Sequence, residues 1–412
     1  MSRLNEPTNE ASAMQKEISA IAEQGGGRAT KVEQLIQQYC PDGVEYKYLG
    51  EFCEIKTGKG ITKKDSDENG NYPIISGGIT PMGYYHTFNR EGNTVTISRV
   101  GNAGLVSFID KRFYLNDKCF SVIPSDDTNT KFLYYVLSAR ENEIKGMQSE
   151  GGVPTINTQK VGSIVIPVPP LPVQEEIVRI LDSFTELQAE LQAELQKRLQ
   201  QYNYYRDNLL SFEGRTDVEW KKLGEICLKV CSGGTPSRGN SGYFTGDIPW
   251  LRTQEVDWKD IYDTEIKITE DAVKNSSAKL IPENCVIIAM YGATAGKVGI
   301  NKIPLTTNQA CCNLQINPQK ALYKYVYYWV CNEYEHLKSL GQGSQNNINA
   351  QIIKEYPIPI PPLAEQQRIV SILDRFDTLT TDITAGLPAE IEARRKQYEY
   401  YRDQLLTFKQ KA

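Results

Sequence analysis

Histidine is almost missing from this chain of 412 residues, which holds only His86 and His336. The nine cysteines show no Cys-x-x-Cys spacing; the nearest pairs are Cys227/Cys231 and Cys311-Cys312. A zinc site is therefore not expected, and the thiols read as reduced and mostly buried in a cytoplasmic protein. No run of about 18 apolar residues occurs, so no membrane span is expected. The N-terminus lacks a basic-then-apolar leader, which argues against export. Positive charge is not in excess either: 46 Lys and Arg stand against 51 Asp and Glu, a net charge of −5. That balance gives no global signature of nucleic-acid binding. A hydrophobic content of 40% is ordinary for a soluble protein, and the length calls for two or three cores.

What the chain has in abundance is self-similarity. Ile166-Pro-Val-Pro-Pro170-Leu171, Gln174, Ile180-Leu181-Asp182, Phe184, Tyr204-Tyr205-Arg206-Asp207 and Phe212 recur as Ile358-Pro-Ile-Pro-Pro362-Leu363, Gln366, Ile372-Leu373-Asp374, Phe376, Tyr400-Tyr401-Arg402-Asp403 and Phe408. The offset is 192 residues at the start and 196 at the end. The second copy is thus one helical turn longer, or carries a four-residue loop near Gly386-Leu387-Pro388.

Both copies read as long helices released by a Pro-Pro pair, since proline is excluded from a helix interior. In the first, apolar residues at 177, 180, 181, 184, 187, 191, 195, 199 and 202 form a stripe at three-to-four spacing. About 40 residues make a rod of roughly 60 Å. Such a stripe needs a partner. Either the two copies pack on each other as a coiled-coil-like spacer, or they are ordinary core helices; the duplication favours the spacer.

The segments ahead of the rods repeat too. Val44-Glu45-Tyr46-Lys47 and Leu49-Gly50-Glu51 match Val218-Glu219-Trp220-Lys221 and Leu223-Gly224-Glu225. Asn116 and Cys119 match Asn308 and Cys311, and Ile156-Asn157 matches Ile348-Asn349. Two heads of one fold are implied, the second with an insertion in its front half. Short β-like runs such as Thr94-Val95-Thr96-Ile97 alternate with Gly/Asn/Ser turns. The expected class is α+β: two similar mixed α/β domains separated by two long helices packed antiparallel, with pseudo-two-fold symmetry. The expected boundaries are a flexible tail at 1–29, head one with a leading segment at 30–165, rod one at 166–214, head two at 215–357 and rod two at 358–412.

This pattern resembles the specificity (S) subunit of type I restriction–modification systems over nearly all of residues 30–412. The Pro-Pro-Leu helix starts with Gln366-Gln367-Arg368-Ile369-Val370 and the Gln397-Tyr398-Glu399-Tyr400-Tyr401-Arg402-Asp403 ending carry the resemblance. Gly233-Gly234-Thr235-Pro236-Ser237 and Asp247-Ile248-Pro249-Trp250 look like a common form of that family's recognition domain. Leu-Gln-Ala-Glu-Leu-Gln-Ala-Glu at 187–194 looks like its spacer repeat. The resemblance implies that the heads each read half of a split DNA site and that the rods bind two methyltransferase (M) subunits. It also implies that restriction (R) subunits join through the complex. S-adenosylmethionine would sit in M, and ATP with Mg²⁺ in R, with no cofactor in this chain. Tyr204, Tyr205, Arg206, Tyr400, Tyr401 and Arg402 are the expected M-binding residues.

Catalysis by this chain itself is not expected. The only Asn-Pro, at Asn317-Pro318-Gln319-Lys320, is not the Asn-Pro-Pro-Tyr-like loop of a DNA aminomethyltransferase. Gly292 to Lys297 misses the phosphate-loop pattern in its glycine spacing and lacks a Ser or Thr after the lysine. Asp126 or Asp127 with Glu143-Ile144-Lys145 only loosely imitates a metal nuclease. The rival reading is a scaffold whose rods join protein partners and whose heads bind protein or carbohydrate.

Base edges are read by polar and basic side chains on loops that approach closely. The candidates are Lys59, Ser76, Arg99, Asn102 and Gln148 in head one. In head two they are Thr235, Ser237, Arg238, Arg252, Gln254, Tyr291, Lys297, Gln342 and Gln345. For Arg99 and Arg252 the alternative is a surface salt bridge; for Lys59, Arg238 and Lys297 it is a solvated loop. The run from Gln342 to Asn347 reads equally as a DNA-facing loop or a helix cap. Head one (45–165) holds 14 Lys/Arg and 14 Asp/Glu, and head two (217–356) holds 15 and 15. Phosphate affinity then has to come from clustering of the cations on one face, from M, or from both.

Overall fold

A computed structural model describes residues 30–149, 152–341, 347–382 and 384–411. The chain divides into two compact units, 1–193 with 390–412 and 194–389. The tail at 1–29 lies outside the described residues.

In the first unit, a leading helix over Lys31–Tyr39 begins at a capping box of Thr30 and Glu33, and its Lys31 pairs with Glu176 at 2.7 Å. Head one is then built on an antiparallel sheet ordered β2-β8-β5-β6 (Cys53–Thr57, Cys119–Pro124, Thr94–Ser98, Val106–Ile109). A small sheet β4-β3-β7 (Tyr84–Tyr85, Tyr72–Ile75, Tyr114–Leu115) stands beside it, with β3 and β7 parallel. Strands β1 (Tyr46–Tyr48) and β9 (Val165–Pro167) pair antiparallel, joining the start and finish of the head. The C-terminal segment completes this unit: Val44 N–H donates to Lys409 O at 2.8 Å and Lys411 N–H to Val44 O at 2.9 Å.

The second unit repeats the plan. Its main sheet is ordered β11-β18-β15-β16-β13 (Cys227–Ser232, Cys311–Ile316, Val286–Ala289, Val298–Asn301, Asp260–Ile261) and its small sheet β14-β12-β17 (Lys267–Ile268, Ile248–Leu251, Thr306–Thr307). The insertion is now located. Ile75 pairs with Leu115 in head one, and Leu251 with Thr307 in head two, so the extra residues fall between those strands. They supply the fifth strand, β13, parallel to β16, and the short Glu270–Lys274 helix.

Each head docks on its rod through an aromatic helix, Thr130–Ala139 or Tyr323–Asn332. The docking explains two residues of the repeat. Buried Gln174 accepts from Asn129 N–H at 2.7 Å and donates to Pro169 O at 2.6 Å; Gln366 accepts from Leu322 N–H at 2.9 Å and donates to Pro361 O at 2.8 Å. Asp182 takes Lys131 at 2.7 Å and the Tyr135 hydroxyl at 2.6 Å; Asp374 takes Lys324 and the Tyr328 hydroxyl, both at 2.7 Å. Around these latches the apolar faces merge. Phe132, Leu133 and Val136 share one core with Val173, Ile177, Leu181 and Phe184, and Tyr325, Val326 and Trp329 share another with Ile369, Val370 and Leu373. Phe132, Tyr135, Tyr325, Tyr328 and Trp329 are core side chains, while Tyr134 and Tyr327 are half-buried.

Rod one is a single helix of 39 residues, Leu171–Leu209, about 58 Å long. Rod two is two helices of 19 residues, Leu363–Thr381 and Leu387–Leu405. Of the two forms the offset allowed, the chain uses a loop. Asp382 Oδ1 accepts from Thr384 N–H at 2.7 Å, and Gly386 N–H donates to Asp382 O at 2.9 Å. A Cβ on Gly386 would strike Thr378 O, so this turn needs glycine. In the first unit, Phe184 of rod one packs on Tyr398 and Tyr401 of rod two; in the second, Phe376 of rod two packs on Tyr202 and Tyr205 of rod one. Front half meets back half in both, the pairing of antiparallel helices.

Candidate nucleic-acid interface

In head one, five loops close on one edge of the sheets. Asn116 N–H donates to Ile75 O at 2.9 Å, Arg99 N–H to Lys118 O at 2.7 Å, and Asn102 N–H to Gly77 O at 3.2 Å. Lys59 N–H donates to Leu115 O at 2.9 Å and Ile156 N–H to Arg99 O at 3.0 Å. Gly77 is required here, because a Cβ would strike Val100 O.

The candidate side chains on this edge divide into two groups. Lys59, Arg99 and Asn102 are exposed. Lys59 has no ion-pair partner among the described residues, and Arg99 reaches only Asp117 O at 3.5 Å while lying 5.9 Å over the Phe120 ring. Ser76 and Gln148 are different. Ser76 is buried, with its hydroxyl on Asn116 Oδ1 at 3.4 Å, and the Gln148 amide donates to Ala103 O at 2.6 Å. Ser76 faces the interior, so it shapes the loop instead of facing outward as expected. Lys118, exposed between the landmarks Asn116 and Cys119, shares the edge and was not singled out from sequence. Its neighbours' role in ending β7 and starting β8 was the available signal.

Head two builds the same edge with different side chains. Asn308 N–H donates to Leu251 O at 2.9 Å, Gly234 N–H to Thr307 O at 2.9 Å, and Ile348 N–H to Met290 O at 2.9 Å. The Trp250 indole donates to Gly234 O at 2.9 Å, which ties the Gly-Gly-Thr-Pro-Ser loop to the Asp-Ile-Pro-Trp strand. Ser237, Arg238, Gln254 and Tyr291 are exposed. The Thr235 hydroxyl is engaged by Gln309, Lys297 pairs with Asp257 at 2.6 Å, and Arg252 pairs with Glu255 at 3.5 Å and with Glu265. For Arg252 the salt-bridge alternative is therefore realised, and Lys297 is held in an ion pair, not in an open solvated loop. Gln342 and Gln345 lie outside the described residues.

The near-miss catalytic patterns gain no geometry. Gly292–Thr294 is a single 3-10 turn with Lys297 already paired, and Glu143-Ile144-Lys145 sits on a six-residue helix, with Lys145 on Glu141 at 2.6 Å. Burial pushes the Cys119 thiol up to about 11 and that of Cys312 to about 12, so both stay neutral beneath the loops.

On the rods, Tyr204 and Tyr400 are 66% and 62% exposed, each in edge contact with the next tyrosine at 5.6 and 5.4 Å. Arg206 and Arg402 pair with Asp207 and Asp403 at 2.8 and 2.7 Å. Tyr205 and Tyr401 stack on Phe376 and Phe184 of the facing rod, Tyr205 keeping 44% of its surface exposed.

Sequence comparison decides what this duplicated architecture is. The family described as the type I restriction modification DNA specificity domain matches residues 41–201 and again 216–393. The chain belongs to that family. It is 38% identical over 398 residues to the type I restriction enzyme EcoR124I/EcoR124II specificity subunit of Escherichia coli, covering 89% of this chain and 95% of that protein. It is 33% identical over 386 residues to a putative type I restriction enzyme specificity subunit of Haemophilus influenzae, covering 89% and 96%. The solved type I S subunit of M. genitalium shares the fold, with a TM-score of 0.57 at 18% identity, covering 88% of this chain and 95% of that one. Specificity subunits are the DNA-recognition component of type I restriction–modification, and that is this chain's role. No helix among the described residues is long and apolar enough to cross a membrane.

Proposed function

We propose that the chain recognises a two-part, asymmetric DNA sequence, one half per head, and holds M and R subunits on it without catalysis of its own. One observation carries the reading. Two loop edges share the same backbone bonds, Asn116 to Ile75 and Asn308 to Leu251, yet present different side chains. A common frame with divergent outward chemistry is what two readers of unlike base sequences need.

In this reading Lys59, Arg99, Asn102 and Lys118 reach the DNA from head one, and Ser237, Arg238, Gln254 and Tyr291 from head two. Ser76, Gln148 and Thr235 shape the loops, and Arg252 and Lys297 act only where DNA displaces their carboxylate partners. Tyr204 with Arg206, and Tyr400 with Arg402, face two M subunits. S-adenosylmethionine belongs to M, and ATP with Mg²⁺ to R, in the cytoplasm.

Gel-shift titration with and without M tests the binding, with weak shifts expected for the S chain alone and tight, sequence-selective shifts with M. Single-molecule sequencing of methylated bases in the source genome should yield one split, non-palindromic motif that vanishes when the gene is deleted. A motif that survives deletion overturns the proposal.

A further inference from the structure

The two heads differ most at one equivalent place. After the paired strand ends Ile75 and Leu251, head one continues Ser76-Gly77-Gly78-Ile79 and head two Arg252-Thr253-Gln254-Glu255. In head two this stretch is a polar 3-10 turn whose Arg252 and Glu255 are tied down while Gln254 stays exposed. Glu255 accepts from Arg252 N–H at 3.2 Å and from Glu265 N–H at 2.9 Å, so it is consumed in holding Arg252 and the neighbouring loop. In head one the stretch projects as a hairpin loop. Ile74 N–H donates to Gly83 O at 2.9 Å and Met82 N–H to Ile74 O at 2.9 Å, closing the neck. Asn102 N–H on Gly77 O fixes the loop against the strand-end loop that carries Arg99.

At the tip, Ile79 is 84% exposed, the most exposed large apolar side chain among those described. Gly78, Thr80 and Pro81 around it are exposed as well, so the loop offers it no cover. The edge it stands on otherwise presents Lys59, Arg99, Asn102, Asp117 and Lys118. A lone isoleucine at a loop tip of glycine, threonine and proline does not make a protein-docking patch, which needs contiguous apolar area. It does suit the major groove of DNA, where the thymine 5-methyl is the one apolar group on a polar base edge.

We propose that Ile79 determines specificity in head one by packing against the 5-methyl of a thymine in that head's half-site. The inference rests on the DNA reading above and adds a chemical class of base. Head two has no counterpart, because Glu255 occupies the equivalent position and is turned inward. Ile79 is not among the side chains assigned to the DNA contacts above, and its exposure means that truncation leaves the fold intact.

The test uses the S chain assembled with M on duplexes carrying the mapped motif. Each thymine, on either strand, is replaced in turn by deoxyuridine, which removes only the methyl. For the wild-type complex, one position in head one's half-site should weaken binding about three- to fivefold, the worth of one buried methyl. With Ile79→Ala, binding to the thymine duplex should fall by a similar factor, and deoxyuridine at that position should have no further effect. Circular dichroism of the variant checks that it is folded. Three results overturn the proposal: no sensitive thymine in that half-site, a deoxyuridine penalty that persists undiminished in Ile79→Ala, or a sensitive thymine only in the other half-site. A wild-type complex that binds no duplex at all removes the DNA reading as well, a result distinct from the other three.

Discussion

Phe184 stacks on Tyr401 with ring centroids 5.6 Å apart and planes 26° from parallel. Phe376 repeats the stack on Tyr205 at 5.4 Å and 29°. Each pair joins a phenylalanine from the front of one copy to a tyrosine from the back of the other, so neither unit is complete without both copies. Phe184 is 1% exposed, while Phe376 is partly exposed. Phe184→Ala should cost about 3–5 kcal/mol and Phe376→Ala clearly less. Urea titration of the two variants checks this, and equal losses would contradict it.

Gln174 is a buried hub between the proline turn and the aromatic helix. Replacing it with leucine keeps the volume and leaves Asn129 N–H and Pro169 O without partners. The expected loss is about 1–3 kcal/mol per orphaned group. Thermal unfolding should show the drop in Gln174→Leu, whereas exposed Glu175→Leu should be close to neutral.

Asp377 carries a pH dependence. Burial is the largest influence and raises its carboxyl above the ordinary 3.8, with Asp374 and Asp260 adding to the rise and Thr381 and Lys324 opposing it. The folded pKa therefore lies above the unfolded one, and holding the charge opposes folding at neutral pH. That penalty fades as pH falls through the folded value toward 3.8. Asp377→Asn should thus be more stable than wild type at pH 7, with the gap closing on acidification. Calorimetry at neutral and mildly acid pH measures it. In rod one the corresponding residue is Thr185, which has no carboxylate to bury.

The spacer gives a geometric prediction. One more Leu-Gln-Ala-Glu unit in rod one adds roughly 6 Å, against about 3.4 Å per base pair. The gap between half-sites should widen by about one or two base pairs while both halves keep their sequence. Methylation-site mapping of the insertion variant reads the gap directly.

Arg252 and Lys59 separate two kinds of contact. Arg252→Ala should weaken DNA binding by the assembled methyltransferase by about 1–3 kcal/mol if the arginine leaves Glu265 for a guanine edge. Lys59→Ala should weaken all sequences alike and reduce the salt slope by about one. Unchanged affinity in Arg252→Ala would leave that residue as an internal ion pair only.

The duplication was legible because the same contacts are built twice: Gln174 and Gln366, Asp182 and Asp374 latch head to rod, and Phe184 and Phe376 join rod to rod. The edge was legible as a set of loops, since glycine and asparagine mark them. Which side chains point outward was not. Ser76 turns inward to Asn116, Arg252 meets Glu265 besides its local partner Glu255, and Lys297 meets Asp257, 40 residues away in sequence. An isoleucine in a sequence reads as core, and only the closed neck of its hairpin shows Ile79 at a tip. The break in rod two was left open by the offset alone, and it takes the Asp382 to Gly386 turn to show how the helix ends.

The docking latches have a consequence for how such a chain diversifies. Lys131 and Tyr135 meet Asp182 just as Lys324 and Tyr328 meet Asp374, so both sockets accept one kind of plug. A recombination event that exchanges everything from the first strand of a head to the end of its aromatic helix carries the plug with the cargo. If each head reads its own half-site, as proposed, such an exchange would change the sequence preference in either slot and leave the joint as it is.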